Sequence, residues 1–309
     1  MEQRRLGKTG WRVGAVGLGC GTHVDEWSPM EELSFTATVE RALDLGMNFF
    51  DTADSYNTEP WLGRALGRRR ASVYVATKVG KYAAATGHPL SYRVPEHVVL
   101  CCEASLQRLN SEYIDLYQCH LDDLERVDVF LEAFDALQRR GMVRHFGVST
   151  NDLEVLKAFD SDGNCATCQF DYNLLQRQPE RDVLPYCAER DVGTIVRRPL
   201  EKGILSGTMR QDQRFTDWVR RRWNSGPERE AFKQKVQLAE RLAFLDRPGR
   251  PMTQAAIAFV LKHPAVNCVI PGASRPSRLD TYVAALETGL TADDIEQIGA
   301  ALGNVNQTT

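Results

Sequence analysis

Short apolar runs recur along the chain, and most are followed by a segment whose apolar positions fall three and four apart. The first thirteen residues stand outside this pattern. QRRL and WRVG flank a GKTG turn and read as a small hairpin. AVGLGC then reads as a strand, and residues 30–45 as a helix closed by Gly46, a residue suited to a left-handed helix end. MNFFD, SVYVATK, YIDLYQCH, VRHFGVS, ATCQF, GTIVRRP and VNCVIP read as further strands. Between them lie the helical segments EPWLGRALG, PEHVVLCCEASLQRLN with Pro95 in its first turn, VFLEAFDALQRRG, DLEVLKAF and PERDVLPYCAERD. An irregular polar stretch at about 206–228 follows the seventh strand. A long helical region precedes the eighth strand, and two helical segments end the chain.

Eight short strands alternating with helices call for a parallel sheet, since parallel neighbours need a crossover connection. Eight such units in about 250–300 residues fit a closed barrel better than an open sheet. The predicted fold is α/β, a (β/α)8 TIM barrel with an N-terminal β-hairpin and a C-terminal helical extension. No Pro/Ser-rich linker divides it, so a single domain over residues 1–309 is expected. The polar stretch near 206–228 becomes a long loop after the seventh strand, where binding loops sit.

Composition narrows the function classes. The 309 residues are 43% hydrophobic and 26% charged, which is a globular balance, and the net charge of −3 gives no nucleic-acid footprint. GRRR at 67–70 and VRRRW at 219–223 are local basic clusters, either solvated surface or a contact to a ligand phosphate. No apolar stretch reaches membrane-span length and the N-terminus lacks a signal-peptide core, so a cytoplasmic protein without membrane partners is expected. The eight cysteines sit largely in or beside apolar runs, as reduced, buried thiols do. Cys165 and Cys168 form a lone CxxC with no second ligand pair, so no metal site is expected.

In a barrel, chemistry collects at the C-terminal ends of the strands. Here the second strand ends at Asp51, the third at Lys78 and the fourth at His120. The fifth ends at Ser149, with Thr150 and Asn151 beyond, and the sixth near Gln169. The seventh ends at Arg197 and Arg198, and the eighth runs into Pro271 and Gly272. Singly, each reads as a capping or surface group. Together, with Tyr56 five residues past Asp51, they set an acid, a phenol, an ammonium and an imidazole on three consecutive strand ends. A phenol beside an ammonium is a tuned general acid, because the positive charge favours the phenolate. A carboxylate holds the ammonium charged, and an imidazole orients a carbonyl oxygen. The set suits carbonyl reduction, with a nicotinamide cofactor as hydride source because no side chain supplies one.

GMNFFDTADSY, VATKVG, IDLYQCHLDD, FGVST, QFDYNLL, RPLEKGILSG and VIPGA, in this order and over essentially the whole chain, resemble the successive motifs of the aldo-keto reductases. The resemblance implies an NADPH-dependent reductase, NADH being less favoured. It acts on an aldehyde, ketone or sugar-like carbonyl in either direction. The implied catalytic tetrad is Asp51, Tyr56, Lys78 and His120, the set that the strand ends single out. It also implies nicotinamide contacts from Ser149, Thr150, Gln169 and Arg197. A pyrophosphate loop at Pro199, Leu200, Gly203 and Leu205 follows, and an adenosine end at Gly272, Arg275, Arg278 and Tyr282. An arginine there suits the 2′-phosphate of NADPH.

The chain departs from the family pattern in places. Thr150 stands where asparagine is usual, with Asn151 one step later. Arg197 replaces a common aromatic residue, and Tyr282 replaces a frequent asparagine. The loop after Tyr56 is short, which opens one wall of the expected pocket. Trp27, Trp218 and Trp223 are candidate walls, with core packing as the competing assignment. Asp54 is expected to bond the loop backbone. Basic loop residues point to an anionic or polar small-molecule substrate. The alternatives are a redox-neutral NADP(H) enzyme, a non-turnover sensor or regulatory subunit, and a Schiff-base barrel using Lys78. An open-sheet dinucleotide fold prompted by GAVGLGCGT fails, because Val24 stands where a third glycine is needed.

Overall fold

The chain opens with a hairpin in which β1 (Gln3–Arg5) pairs antiparallel with β2 (Arg12–Gly14) around a 3-10 turn at Gly7–Thr9. Eight parallel strands follow, adjacent in chain order: β3 (Leu18–Gly19), β4 (Phe49–Asp51), β5 (Tyr74–Val79), β6 (Ile114–Cys119), β7 (Val143–Ser149), β8 (Thr167–Asp171), β9 (Gly193–Arg197) and β10 (Cys268–Val269). Parallel bridges Val16–Val269 and Gly19–Gly272 join the first of these to the last, so the sheet closes on itself. The architecture is a (β/α)8 barrel. The structure, a computed structural model, describes residues 1–21, 29–81, 91–217 and 219–303.

The helices described are α1 (Pro29–Asp44), α2 (Glu59–Leu66), α3 (Pro95–Leu109), α4 (Val127–Arg139), α5 (Leu153–Phe159), α6 (Val183–Arg190), α7 (Gly226–Glu240), α8 (Met252–Lys262), α9 (Ser277–Ala284) and α10 (Ala292–Leu302). The long helical region expected before the eighth strand is two helices. The break falls at Arg247–Arg250, a tight turn around Pro248 and Gly249, with Pro251 stopping any continuation. α8 is buried on nearly every side. α7 buries one stripe, Arg229, Phe232, Val236 and Ala239. From there the Arg229 guanidinium donates to the carbonyls of Gln211, Gln213 and Trp223 and holds the long loop after β9. Trp223, a candidate pocket wall, belongs to that loop's core. It stacks on Phe232 at 5.1 Å and meets Phe215 edge-on. Trp27 and Trp218 lie outside the described residues.

Two apolar cores share the strands. One fills the space between barrel and helices. The other lies inside the barrel, where Phe49, Ala76, Leu116, Ile195 and Cys268 meet Leu6 and Val13 of the hairpin. Gly7 makes this plug possible: its φ is +46°, and a Cβ there would lie 2.1 Å from the Gly193 amide nitrogen. Side chains alternate along a strand, so the residue two positions on from each floor residue faces the barrel axis one layer higher. Those residues are Asp51, Lys78, Gln118, Arg197 and, past the last strand, the apolar Ile270.

Candidate active site

The segment that carries Asp51 into Tyr56 is braced from several sides. After β4 the chain turns through a 3-10 turn, Asp54–Tyr56, with Asn57 left-handed at φ 59°. Thr58, fully buried, donates from its hydroxyl to the Cys20 carbonyl at 2.9 Å and shares a 3.0 Å hydrogen bond with Thr52. Gly21 lies against the phenol ring; a Cβ there would stand 2.8 Å from Tyr56 Cε2. The turn therefore holds Tyr56 at the mouth of the barrel while Asp51 stays inside.

Lys78 is fully buried and donates to Asp51 Oδ2 at 2.6 Å and to the Thr52 carbonyl at 2.8 Å. Burial alone lowers its pKa; Asp51, and more weakly Tyr56, outweigh this and hold the ammonium above its ordinary range. The other Asp51 oxygen accepts from Gln169 Nε2 at 2.7 Å and from Gln118 at 3.4 Å. The Lys78 ammonium sits 4.9 Å from the centre of the Tyr56 ring, and His120 meets that ring edge-on at 6.4 Å. His120 is driven well below the usual histidine range, first by burial and then by the charges of Lys78, Lys81, Arg197 and Arg198. It is neutral, so one ring nitrogen donates and the other accepts. A carboxyl group paired with an ammonium, a phenol and a neutral imidazole thus share one cavity mouth. That set can donate a proton to a carbonyl oxygen and steady the charge that grows there.

Around this centre lie the residues expected at the cofactor. Gln169 gives its amide nitrogen to Asp51, and its Oε1 lies 3.5 Å from Ser149 Oγ. The Thr150 hydroxyl accepts from the Asp152 amide at 3.0 Å, and Asp152 in turn caps α5 by accepting from the Glu154 amide. Arg197 reaches Ser149 Oγ at 3.4 Å and pairs with Asp171 at 2.8 Å; Arg198 pairs with the same carboxylate at 2.8 Å. Pro199, Leu200 and Leu205 are buried in the loop that follows. That loop takes left-handed backbone at Arg198, Glu201, Lys202 and Gly203. Such runs turn successive amides toward one side, as anion-binding nests do. Glu201 is kept from opposing an anion there by Asn173 at 3.0 Å and Lys235 at 2.5 Å. Burial and the charges of Arg198 and Arg222 lower Lys202 to about 8. Past β10, Gly272, Arg275 and Arg278 are exposed, while Tyr282 is buried and donates to the Gly272 carbonyl at 3.0 Å. Tyr282 therefore shapes this loop from beneath.

Several residues here lie outside the sequence-derived set. Asp171 was hidden because the sixth strand was ended near Gln169; β8 runs on to Asp171, which pairs in register with Arg197. Its position two residues beyond Gln169 on the same strand face is the signal that could have found it, and Gln118, two residues before His120, could have been found the same way. Lys81 lies just past β5, and burial with the charges of Arg197 and Arg198 lowers it. Asp54 faces the loop backbone as expected, at the amides of Ser55 and Gly80, but at a geometry short of full hydrogen bonds. It is buried, and neither carboxylate oxygen has a hydrogen-bond partner. All eight cysteines are free, all but Cys101 buried, and no metal-ligand cluster occurs among the described residues. No helix among those residues is long and apolar enough to cross a membrane.

Comparison with known proteins identifies the family. The family model for the aldo/keto reductase family matches residues 15–302. The chain is 30% identical to the oxidoreductase YqkF of Bacillus subtilis (strain 168) over 96% of its own length and 95% of that protein. It is 29% identical to the aldo-keto reductase YhdN of the same organism, covering 98% of this chain and 94% of that one. Among solved structures, the holo form of the Bacillus halodurans aldo-keto reductase AKR11C1 superposes with a TM-score of 0.79 at 28% identity, covering 97% and 96% of the two chains. The Gluconobacter oxydans glycerol dehydrogenase AKR11B4 gives 0.80 at 26% identity, covering 99% and 97%. With the barrel, its polar rim and a family match over nearly its whole length, the chain belongs to the aldo/keto reductase family of NAD(P)H-dependent oxidoreductases.

Proposed function

We propose that the protein reduces the carbonyl group of a small, polar or anionic molecule with NADPH, and that Tyr56 gives the proton. The observation that supports this best is the buried Lys78–Asp51 pair beneath the Tyr56 ring, with a neutral His120 at the ring edge. A neutral imidazole donates a hydrogen bond to the carbonyl oxygen without competing as an acid. The Lys78 charge stabilises the phenolate left when Tyr56 gives up its proton, and Asp51 fixes Lys78 in place. When bound, the reduced nicotinamide supplies the hydride to the carbonyl carbon.

The surrounding residues fit such a cofactor. Ser149, Thr150, Gln169 and Arg197 would line the nicotinamide end. Pro199, Leu200, Gly203 and Leu205 belong to the loop for the pyrophosphate, with Gly203 among its left-handed positions. Gly272, Arg275 and Arg278, with Tyr282 beneath, would take the adenosine end. Arg275 and Arg278 are exposed, Arg278 beside the Tyr282 hydroxyl, where either guanidinium can meet a 2′-phosphate, which favours NADPH over NADH. The solved holo form of the Bacillus halodurans relative supports cofactor binding in this fold. Lys81, Arg197 and Arg198 bring more positive charge to the His120 side than Asp171 balances, hence the preference for a polar or anionic substrate.

The test is cofactor consumption by the purified protein with NADPH and with NADH, against paired carboxylate-bearing and neutral aldehydes, ketones and keto-sugars. NADPH consumption that Tyr56→Phe lowers by about 10²–10⁴-fold, with cofactor affinity retained, is expected. Tight NADPH binding with no turnover of any carbonyl would favour a redox-neutral enzyme or a sensor. A Tyr56→Phe protein as active as the parent would remove Tyr56 from the chemistry.

A further inference from the structure

The proposed reaction leaves Asp54 without a role. This residue opens the 3-10 turn that ends at Tyr56, is only 4% exposed, and has no hydrogen-bond partner at either oxygen. Groups from every side face it. Glu59 comes from α2, Cys101 and Arg108 from α3, Tyr117 from β6, and the amides of Ser55 and Gly80 lie near without completing a hydrogen bond. Glu59 is the favoured carboxylate of this cluster: Arg108 Nε pairs with it at 2.6 Å and the Thr77 hydroxyl donates to it at 2.6 Å. Asp54 is a second carboxyl beside a pair that is already neutral. The Tyr117 hydroxyl is also buried without a partner.

We propose that Asp54 is a positioning residue for Tyr56 that works as a neutral carboxylic acid, and that its ionisation loosens the Asp54–Tyr56 turn and moves the phenol away from Lys78 and His120. The inference rests on the reading of Tyr56 as proton donor. A buried charge without hydrogen bonds is costly, and a like charge beside it adds to the cost. Burial, then the charge of Glu59, raise the Asp54 carboxyl to about 7. Once ionised, the group must gain water or a donor. The parts around it differ in freedom to move: β5 is held in the sheet and α2 by its packing on α3, whereas the turn is three residues long. On ionisation Asp54 releases one proton to solvent, and no other bond changes.

The experiment follows one titration by three readouts on the full-length protein. The infrared carbonyl stretch of a protonated carboxylic acid is recorded against pH for the wild type and Asp54→Asn. The Tyr56 ring resonances, assigned by their loss in Tyr56→Phe, are followed over the same range by NMR. The pH dependence of kcat and KM is measured for NADPH-driven reduction. A protonated-acid band lost near neutral pH and missing in Asp54→Asn is expected. A Tyr56 shift with the same midpoint should accompany it, with a kcat limb of about tenfold that Asp54→Asn abolishes at unchanged KM. An Asp54 already ionised at pH 5, a Tyr56 resonance indifferent to it, or an unchanged kcat limb in Asp54→Asn would overturn the proposal. Asp54→Asn that lowers only thermal stability would overturn it too, as a purely structural role. If no carbonyl is reduced by any form, the functional reading fails, while the infrared and NMR readouts still decide whether Asp54 titrates and moves Tyr56.

Discussion

At the floor of the barrel, Leu6 and Val13 of the hairpin rest on Phe49, Ala76, Leu116, Ile195 and Cys268, all fully buried. Two positions further along four of these strands stand Asp51, Lys78, Gln118 and Arg197; on the fifth, Ile270 keeps the position apolar. The floor holds no ionisable group except a thiol and fills its space with methyl, methylene and ring carbon. The rim buries an ion pair in which Asp51 accepts from two further donors, Gln169 and Gln118, and Lys78 also donates to the Thr52 carbonyl. The floor gains free energy by leaving water. The rim gives up solvation and recovers it only through complete pairing, so its residues are set by function. The two layers should therefore separate under mutation into a stability layer and an activity layer.

Lys78→Met breaks the contrast hardest. It leaves Asp51 buried beside amide donors alone, and is expected to destabilise by about 3–5 kcal/mol and cut kcat by about 10²–10⁴-fold. Urea unfolding and cofactor consumption check the two halves, and a variant both stable and active would show that the ion pair is dispensable. Leu6→Ala tests the floor. It should cost about 2–5 kcal/mol in urea unfolding while kcat per folded molecule stays within about twofold. A large loss of kcat at low temperature would mean that floor and rim are coupled.

The smallest expected effect lies between the layers, at Asp54. Its carboxyl titrates at about 7 in the folded protein, far above the ordinary aspartate range. The folded state therefore holds a proton that the unfolded state has lost, and stability falls as pH rises through that window and levels off above it. Asp54→Asn should lack this slope and gain on the order of 1–3 kcal/mol relative to the wild type above neutral pH. Parallel stability–pH curves for the two proteins would refute the raised carboxyl.

Much of this was legible beforehand for a physical reason. A strand's alternation is local, so FFD and VATK reveal where apolar residues give way to Asp51 and Lys78. The helices could be placed from their spacing and from stops such as Asn110, which ends α3 in a left-handed conformation. Strand ends were less legible. β8 is prolonged by pairing with β9, and Arg197 opposite Asp171 is a partner that a single-strand reading does not contain. Trp223 was open between wall and core because its partners, Phe215 and Phe232, reach it only through the folded loop.

By itself the sequence determined which chemical groups stand on the rim and in what order, because strand period and strand–helix alternation are properties of neighbouring residues. The tertiary structure decided which group holds which. Gln169 gives its amide to Asp51 from four strands away, one carboxylate at Asp171 serves two arginines, and Glu59 takes both Arg108 and Thr77 while Asp54 is left with neither. Those assignments depend on distances across the closed sheet and its helix layer, and they set the charge states from which the chemistry follows.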